Sequence, residues 1–401
     1  MSNLLITNIG QLVTNDSARE GLLGIVEGAA VGVREGMISW VGASDAVPEE
    51  FRSLPAIDAR EIAVVPGFVD AHTHAVFAGD RSHEHAMRLS GASYADIQAA
   101  GDGIYSTVRD TRAASLIELI LGSRTRVARM LESGTTTVEI KTGYGLDTAN
   151  ELKMLDAIDA VDSSLPIDIV RTFLGAHVVG PEFNANRTGY VDLVVGEMLD
   201  AVSGRVDFVD VFCDAVAFTI DETERITAAA SAAGIAVRLH ADQLSRTGGG
   251  ALAAKIGAVA ADHLDHASDE DLSYIAAAGT VAVLLPGVSL MMREPAPDGR
   301  RFIDAGVTVA IATDCNPGTS YVETMPFIIA LAATTSGMTP AEALWSATAG
   351  GAAALGLSDR GIIAPGKLAD LVMLDAPSYE HLAYRPDGDL VRRVIKRGVP
   401  V

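Results

Sequence analysis

His72 and His74 stand two residues apart at the end of an apolar, β-branched run, Val64-Val65-Pro66-Gly67-Phe68-Val69-Asp70-Ala71-His72-Thr73-His74. Side chains alternate faces along a strand, so both imidazoles project the same way. Two neutral imidazoles on one side of a strand end can grip a divalent cation with little rearrangement. The alternative is a chance pair of histidines. It loses ground because residues of the same kind recur downstream: His177, His240, His263 and Asp314 each follow or end a short apolar run.

His72, His74, His240 and Asp314 together offer three imidazoles and a carboxylate. That set suits Zn²⁺ or a similar metal, with room for a water whose pKa the ion lowers toward neutrality. Asp314 can bind the ion and also accept a proton from that water. His263 is placed to polarise a carbonyl or to stabilise the oxyanion formed from it; its plain alternative is a buried histidine bonded to the backbone. The run Val209-Asp210-Val211-Phe212-Cys213 ends without a lysine, which disfavours a lysine-bridged metal pair there. Lys141, at another strand end, reads as a structural or substrate-side residue, and Cys213 as a buried thiol.

These residues need a frame that brings them to one rim. Between about residues 64 and 315 the chain alternates β-rich runs with longer Ala/Leu-rich stretches. The runs are 63–72, 135–141, 167–174, 206–213, 235–240, 258–264, 281–285 and 307–313, with helices expected over 114–131 and 221–233 among others. Strand-helix alternation implies parallel strands, and eight units predict a (β/α)8 TIM-like barrel whose chemistry sits at the C-terminal strand ends. Residues 1–60 and 361–401 read differently. Val31 and Val33, then Glu35-Gly36, then Met37, Ile38 and Trp40 form a hairpin signal, and 369–375 and 391–398 read as strands. Both termini are expected to build one small β-sandwich domain, leaving 61–360 for the barrel.

The bulk numbers narrow the partners. The 401 residues are 49% hydrophobic, enough for a sizeable core, and the formal net charge is −22. Phosphate binding wants a basic surface, so nucleic acid is not expected as a partner. No run is long and apolar enough for a membrane span. The first residues lack a secretory pattern, and two distant cysteines make no disulfide framework. A soluble, cytoplasmic protein is expected. An anionic substrate would need a local arginine against the acidic background.

The pattern of His-x-His, two later histidines and a final Asp resembles the amidohydrolase superfamily, and most closely its imidazolonepropionase family of histidine degradation. The runs that carry the resemblance are 66–81, 134–146 with Lys141-Thr142-Gly143-Tyr144-Gly145, 172–177, and Asp314-Cys315-Asn316-Pro317-Gly318. It spans nearly the whole chain. It implies hydrolysis of 4-imidazolone-5-propanoate to N-formimino-L-glutamate, one Zn or Fe ion per subunit, a small anionic heterocyclic substrate and a homodimer. Family substrate contacts fall on Arg81, Tyr144, His177, Asn316, Gly318 and Thr319, and Gln243 can hydrogen-bond the substrate ring. Arg81 could pair bidentately with the propanoate carboxylate; the plainer alternative is a surface ion pair with Asp80 or Glu84. Tyr144 could instead be a packing residue in its Gly-flanked loop. Many deaminases of the superfamily, and some imidazolonepropionases, have Glu where this chain has Gln243. An amide cannot shuttle a proton, which moves the base role to Asp314 and weakens the competing reading, a deaminase or another cyclic-amide hydrolase. A non-enzymatic binder of anionic heterocycles would have no need of the metal set.

Overall fold

The computed structural model describes residues 2–91 and 103–401. Sixteen strands are found among them, in two sheets. Strands β1 (Leu4–Leu12), β2 (Val26–Arg34), β3 (Met37–Ala43), β4 (Ala56–Asp58) and β5 (Ala63–Pro66) come from the N-terminal part. Strands β14 (Leu371–Leu374), β15 (Val391–Lys396) and β16 (Val399–Pro400) come from the C-terminal part. They join in the order β16-β15-β14-β5-β1-β2-β3, with β4 beside β1. The β2–β3 hairpin turns where expected, on Glu35 and Gly36, both with positive φ. Leu4, Ile6, Val31, Val33, Ile38, Leu371 and Ile395 share one apolar cluster, so the two ends of the chain hold a common core.

The second sheet is the barrel: β6 (Phe68–Asp70), β7 (Thr135–Lys141), β8 (Asp168–Ala176), β9 (Phe208–Cys213), β10 (Ala236–Ala241), β11 (Ala260–His263), β12 (Val281–Leu284) and β13 (Val309–Ile311), in sequential order. Neighbouring strands are parallel. Helices expected from the alternation lie at Leu116–Glu132 and Ile220–Ala232. Both open on a capping box, Ser115 with Glu118 and Thr219 with Glu222, in which each side chain bonds the other residue's backbone N–H.

One expectation needs correction. The run 63–72 is not a single barrel strand. Ala63–Pro66 pairs with β1 and β14 in the terminal sheet, and the barrel begins at Phe68. Gly67 is the crossing point: a Cβ there would collide with the Thr136 side chain. The two sheets therefore divide at Gly67 rather than at residue 60.

The barrel closes at the far end of the same run. The Asp314 amide donates to the His72 carbonyl (3.0 Å) and the His74 amide to the Cys315 carbonyl (3.0 Å). Thr73 and Cys315 form a parallel bridge. The Asp70 carboxylate reinforces the seam, accepting from the Thr313 amide (3.1 Å) and hydroxyl (2.6 Å).

Candidate active site

Closure brings the four metal-ligand candidates together, all buried. Asp314 Oδ1 lies 3.4 Å from His72 Nε2 and 3.5 Å from His74 Nε2. His240 Nε2 lies 3.4 Å from His74 Nε2. A tetrahedral shell with bonds of about 2.1 Å separates its donors by about 3.4 Å. The spacing therefore fits one cation.

The hydrogen bonding behind the rings supports the fit. His72 Nδ1 donates to Asp262 Oδ2 (2.8 Å), and His240 Nδ1 faces Asp210 Oδ2 at 2.9 Å. A carboxylate on Nδ1 leaves Nε2 as the lone pair, the usual arrangement behind a metal-bound histidine. His72 Nε2 and Asp314 Oδ1 are buried with no hydrogen-bond partner among the described residues. Two lone pairs facing each other in a dry interior are costly unless a cation lies between them. Burial drives both groups toward neutrality. It holds the His72 and His74 imidazoles well below their ordinary pKa, and the Asp314 carboxyl well above its own.

His263 ends β11 with φ 73°, a strained conformation at a strand end. Its ring centroid is 5.6 Å from that of His72 and 5.3 Å from that of His240. His177 stacks on His74 at 5.1 Å, and Tyr144 lies 5.4 Å from His177. Burial, with His240 nearby, depresses His177 to about 3, so its imidazole is neutral. Its Nδ1 donates to the Gly143 carbonyl (3.1 Å).

Arg81 forms a bidentate pair with Glu84, Nε to Oε1 at 2.9 Å and Nη2 to Oε2 at 2.7 Å. The pair is largely buried rather than a surface contact. Arg81 still lines a cavity of about 260 Å³, together with Gly318, Thr319 and Tyr321. A Cβ on Gly318 would collide with Arg81 Nη1, so glycine makes room for the guanidinium. Asn316 is otherwise engaged: its Oδ1 accepts from the Gly318 and Thr319 amides (2.8 Å each), and its Nδ2 donates to the Asp314 carbonyl (2.8 Å). The side chain shapes the turn. The Thr319 hydroxyl is bonded to Asn316 as well. Gln243 is half-buried and makes no hydrogen bond among the described residues. It follows Asp242, whose carboxylate caps the helix Gly249–Ile256 through the Gly249 and Gly250 amides.

Sequence reasoning missed the carboxylates behind the rings, Asp210 and Asp262, and with them Glu139 and Arg238. The available signal was an acid inside an otherwise apolar run, which cannot be buried without a partner.

Comparison with known proteins agrees with this architecture. Residues 63–401 match the model of the Amidohydrolase family. The chain belongs to that family, whose members are metal-dependent hydrolases. Imidazolonepropionase of Salinispora tropica is 49% identical over 100% of this chain and 99% of its own length. That of Symbiobacterium thermophilum is 47% identical over 99% and 96%. Within the amidohydrolases the chain is thus one of the imidazolonepropionases. Solved structures share the fold at lower identity. A triazine hydrolase variant has TM-score 0.77 and 19% identity over 99% of this chain and 94% of its own. An adenosine deaminase from Xanthomonas campestris with bound zinc has TM-score 0.73 and 21% identity over 100% and 92%. No helix among the described residues is long and apolar enough to cross a membrane.

Proposed function

We propose that His72, His74, His240 and Asp314 hold a single zinc or iron ion, beside which 4-imidazolone-5-propanoate is hydrolysed to N-formimino-L-glutamate in histidine degradation. Three buried imidazoles with donor atoms within 4.8 Å of one another, and a carboxylate oxygen 3.4 Å and 3.5 Å from two of them, carry this reading. When bound, the ion supplies acidity to a water at that point. The chain's residues supply the rest. Asp314 takes a proton as the water oxygen adds to the ring carbonyl carbon. His263 donates a hydrogen bond to the carbonyl oxygen as charge develops there. The bond from that carbon to the ring nitrogen then breaks. The nitrogen leaves with the proton that Asp314 holds, because the Gln243 amide cannot transfer one. The former carbonyl carbon becomes a carboxylate of the product.

Recognition falls to groups that follow the strand ends. Arg81, oriented by Glu84, meets the propanoate carboxylate with Nη1. Tyr144 and His177 flank the ring, Gln243 hydrogen-bonds it, and Asn316 holds Gly318 and Thr319 in place. The assay is direct: metal-replete protein is incubated with imidazolone propanoate while its ultraviolet absorbance is followed. Loss of absorbance is expected, and no turnover would reject the reading. Asp314→Asn should lower turnover by roughly 10²–10⁴-fold; near-normal turnover in that variant would remove Asp314 from the mechanism.

A further inference from the structure

Beneath the four ligand candidates lies a group of buried charges that the proposed chemistry does not use. Glu139 and Lys141 come from β7, Asp210 from β9, Arg238 from β10 and Asp262 from β11, all fully buried. Lys141 Nζ lies 2.9 Å from Glu139 Oε1, 2.8 Å from Asp210 Oδ2 and 3.5 Å from Asp262 Oδ2. Two of the carboxylates lead on to histidines, and the third to the backbone between two of them. Asp262 accepts from His72 Nδ1 (2.8 Å). Asp210 faces His240 Nδ1 (2.9 Å) and accepts the His240 amide (3.1 Å). Glu139 Oε2 accepts the amide of Thr73, between His72 and His74 (3.1 Å).

Three carboxylates gathered in a dry interior repel one another unless a cation compensates them. A carboxylate on each Nδ1 holds the ring's tautomer and orientation. Arg238 donates to Asp262 and to the Ala71 carbonyl. Among the described residues, Lys141 alone forms ion pairs with all three carboxylates. Asp210, His240 and Asp262 also place donor atoms within 4.8 Å of one another, a spacing that could draw a second cation. The ammonium already stands beside them.

We propose that Lys141 is the positioning residue of the metal centre: one buried ammonium holds three carboxylates, of which two fix the His72 and His240 rings and the third fixes the Thr73 backbone between His72 and His74. The inference rests on the ligand set proposed above, and the experiment separates the two. Wild type, Lys141→Met and Glu139→Gln are stripped of metal and titrated with Co²⁺, whose visible spectrum reports ligand geometry. Zn²⁺ competition then gives affinity. Asp168→Asn, at the opposite end of β8, serves as a control for general loss of stability. Lys141→Met and Glu139→Gln are each expected to weaken Zn²⁺ binding by about 10–100-fold and to shift the Co²⁺ spectrum, while Asp168→Asn does neither. Zn²⁺ affinity within twofold of wild type in either folded variant overturns the proposal. If Lys141→Met does not fold, Glu139→Gln decides alone. A wild-type protein that takes up neither ion overturns the ligand assignment itself, and this inference with it.

Discussion

Glu151→Gln tests whether the loop carrying Tyr144 is held from behind. Glu151 lies on the helix Thr148–Asp162 with its carboxylate fully buried. Oε1 accepts the Gly145 and Leu146 amides at 2.8 Å each, and Oε2 accepts the Gly143 amide at 3.1 Å. Burial pushes this carboxyl above its ordinary pKa, and the amides oppose that shift. Glutamine can put its carbonyl at the Oε1 position and keep two of the bonds. Its NH₂ then faces the Gly143 N–H, donor against donor. One buried donor left unpaired costs about 1–3 kcal/mol. Glu151→Ala would unpair all three, a ceiling of about 3–9 kcal/mol by the same figure, so the loop would rearrange instead. The Gly143 carbonyl is the partner of His177 Nδ1, and Tyr144 follows it, so both leave position together. Misplacement by about 1 Å can cost on the order of 10² in rate. Glu151→Gln is therefore expected to melt a few degrees lower and to lose about 10–100-fold in kcat/KM, mainly through KM. Its metal content should be unchanged, because the ligands come from other segments. Steady-state kinetics, a thermal melt and metal analysis together check this. Wild-type kcat/KM with wild-type Tm would refute the reasoning.

Other expectations concern the cavity and the far end of the barrel. Gly318→Ala puts a methyl group against Arg81 Nη1 and should raise KM by roughly 10-fold with little change in kcat; Arg81→Ala should raise it further, and an unchanged KM in both would show the carboxylate clamp to be misassigned. Gln243→Glu should change kcat by less than about 10-fold, since the proposed mechanism gives the proton to Asp314; ammonia release from amino-heterocycles by the wild-type protein would instead favour a deaminase. Asp168→Asn removes the acceptor of Arg360 (2.6 Å), Lys396 (2.9 Å) and Arg397 (2.9 Å), and should cost about 1–3 kcal/mol near neutral pH. Burial opposes these cations, yet they hold the Asp168 carboxyl below its ordinary pKa. Its contribution is thus present above the ordinary carboxylate range and lost as pH falls through the folded value. The Tm difference between wild type and variant should close in acid, and a difference that widens there would contradict the assignment.

What the sequence made legible, and what it hid, follows from how each residue earns its place. His72 and His74 are readable because strand periodicity alone sets their common direction. Asp314 is readable because it follows a short apolar run near the end of an eight-fold alternation. Glu151 is not. On a helix it looks like any polar residue, and its role depends on a loop whose path the sequence does not give. Asn316 misleads in the other direction: its side chain belongs to the site's motif, yet its hydrogen bonds build the turn. The run 63–72 conceals its division because both halves are buried and apolar, so periodicity cannot assign them to different sheets. The Pro66-Gly67 pair was the available marker.

The site and the barrel's closure are one construction. Asp70 and Thr313, bonded across the seam, are 243 residues apart in sequence. Loop-closure entropy opposes such a contact. It is met at a place where the backbone of His72, His74 and Asp314 exchanges hydrogen bonds between the first and last strands. Three of the four proposed ligands thus sit on the join itself. Asp314, His263 and Asp242 also adopt positive φ at strand ends, a conformation that persists in non-glycine residues only where the surroundings impose it. An ion gripping both sides of the seam would favour the closed barrel over any open form. The same geometry proposed to ready a water for attack would then help hold the two ends of the barrel together.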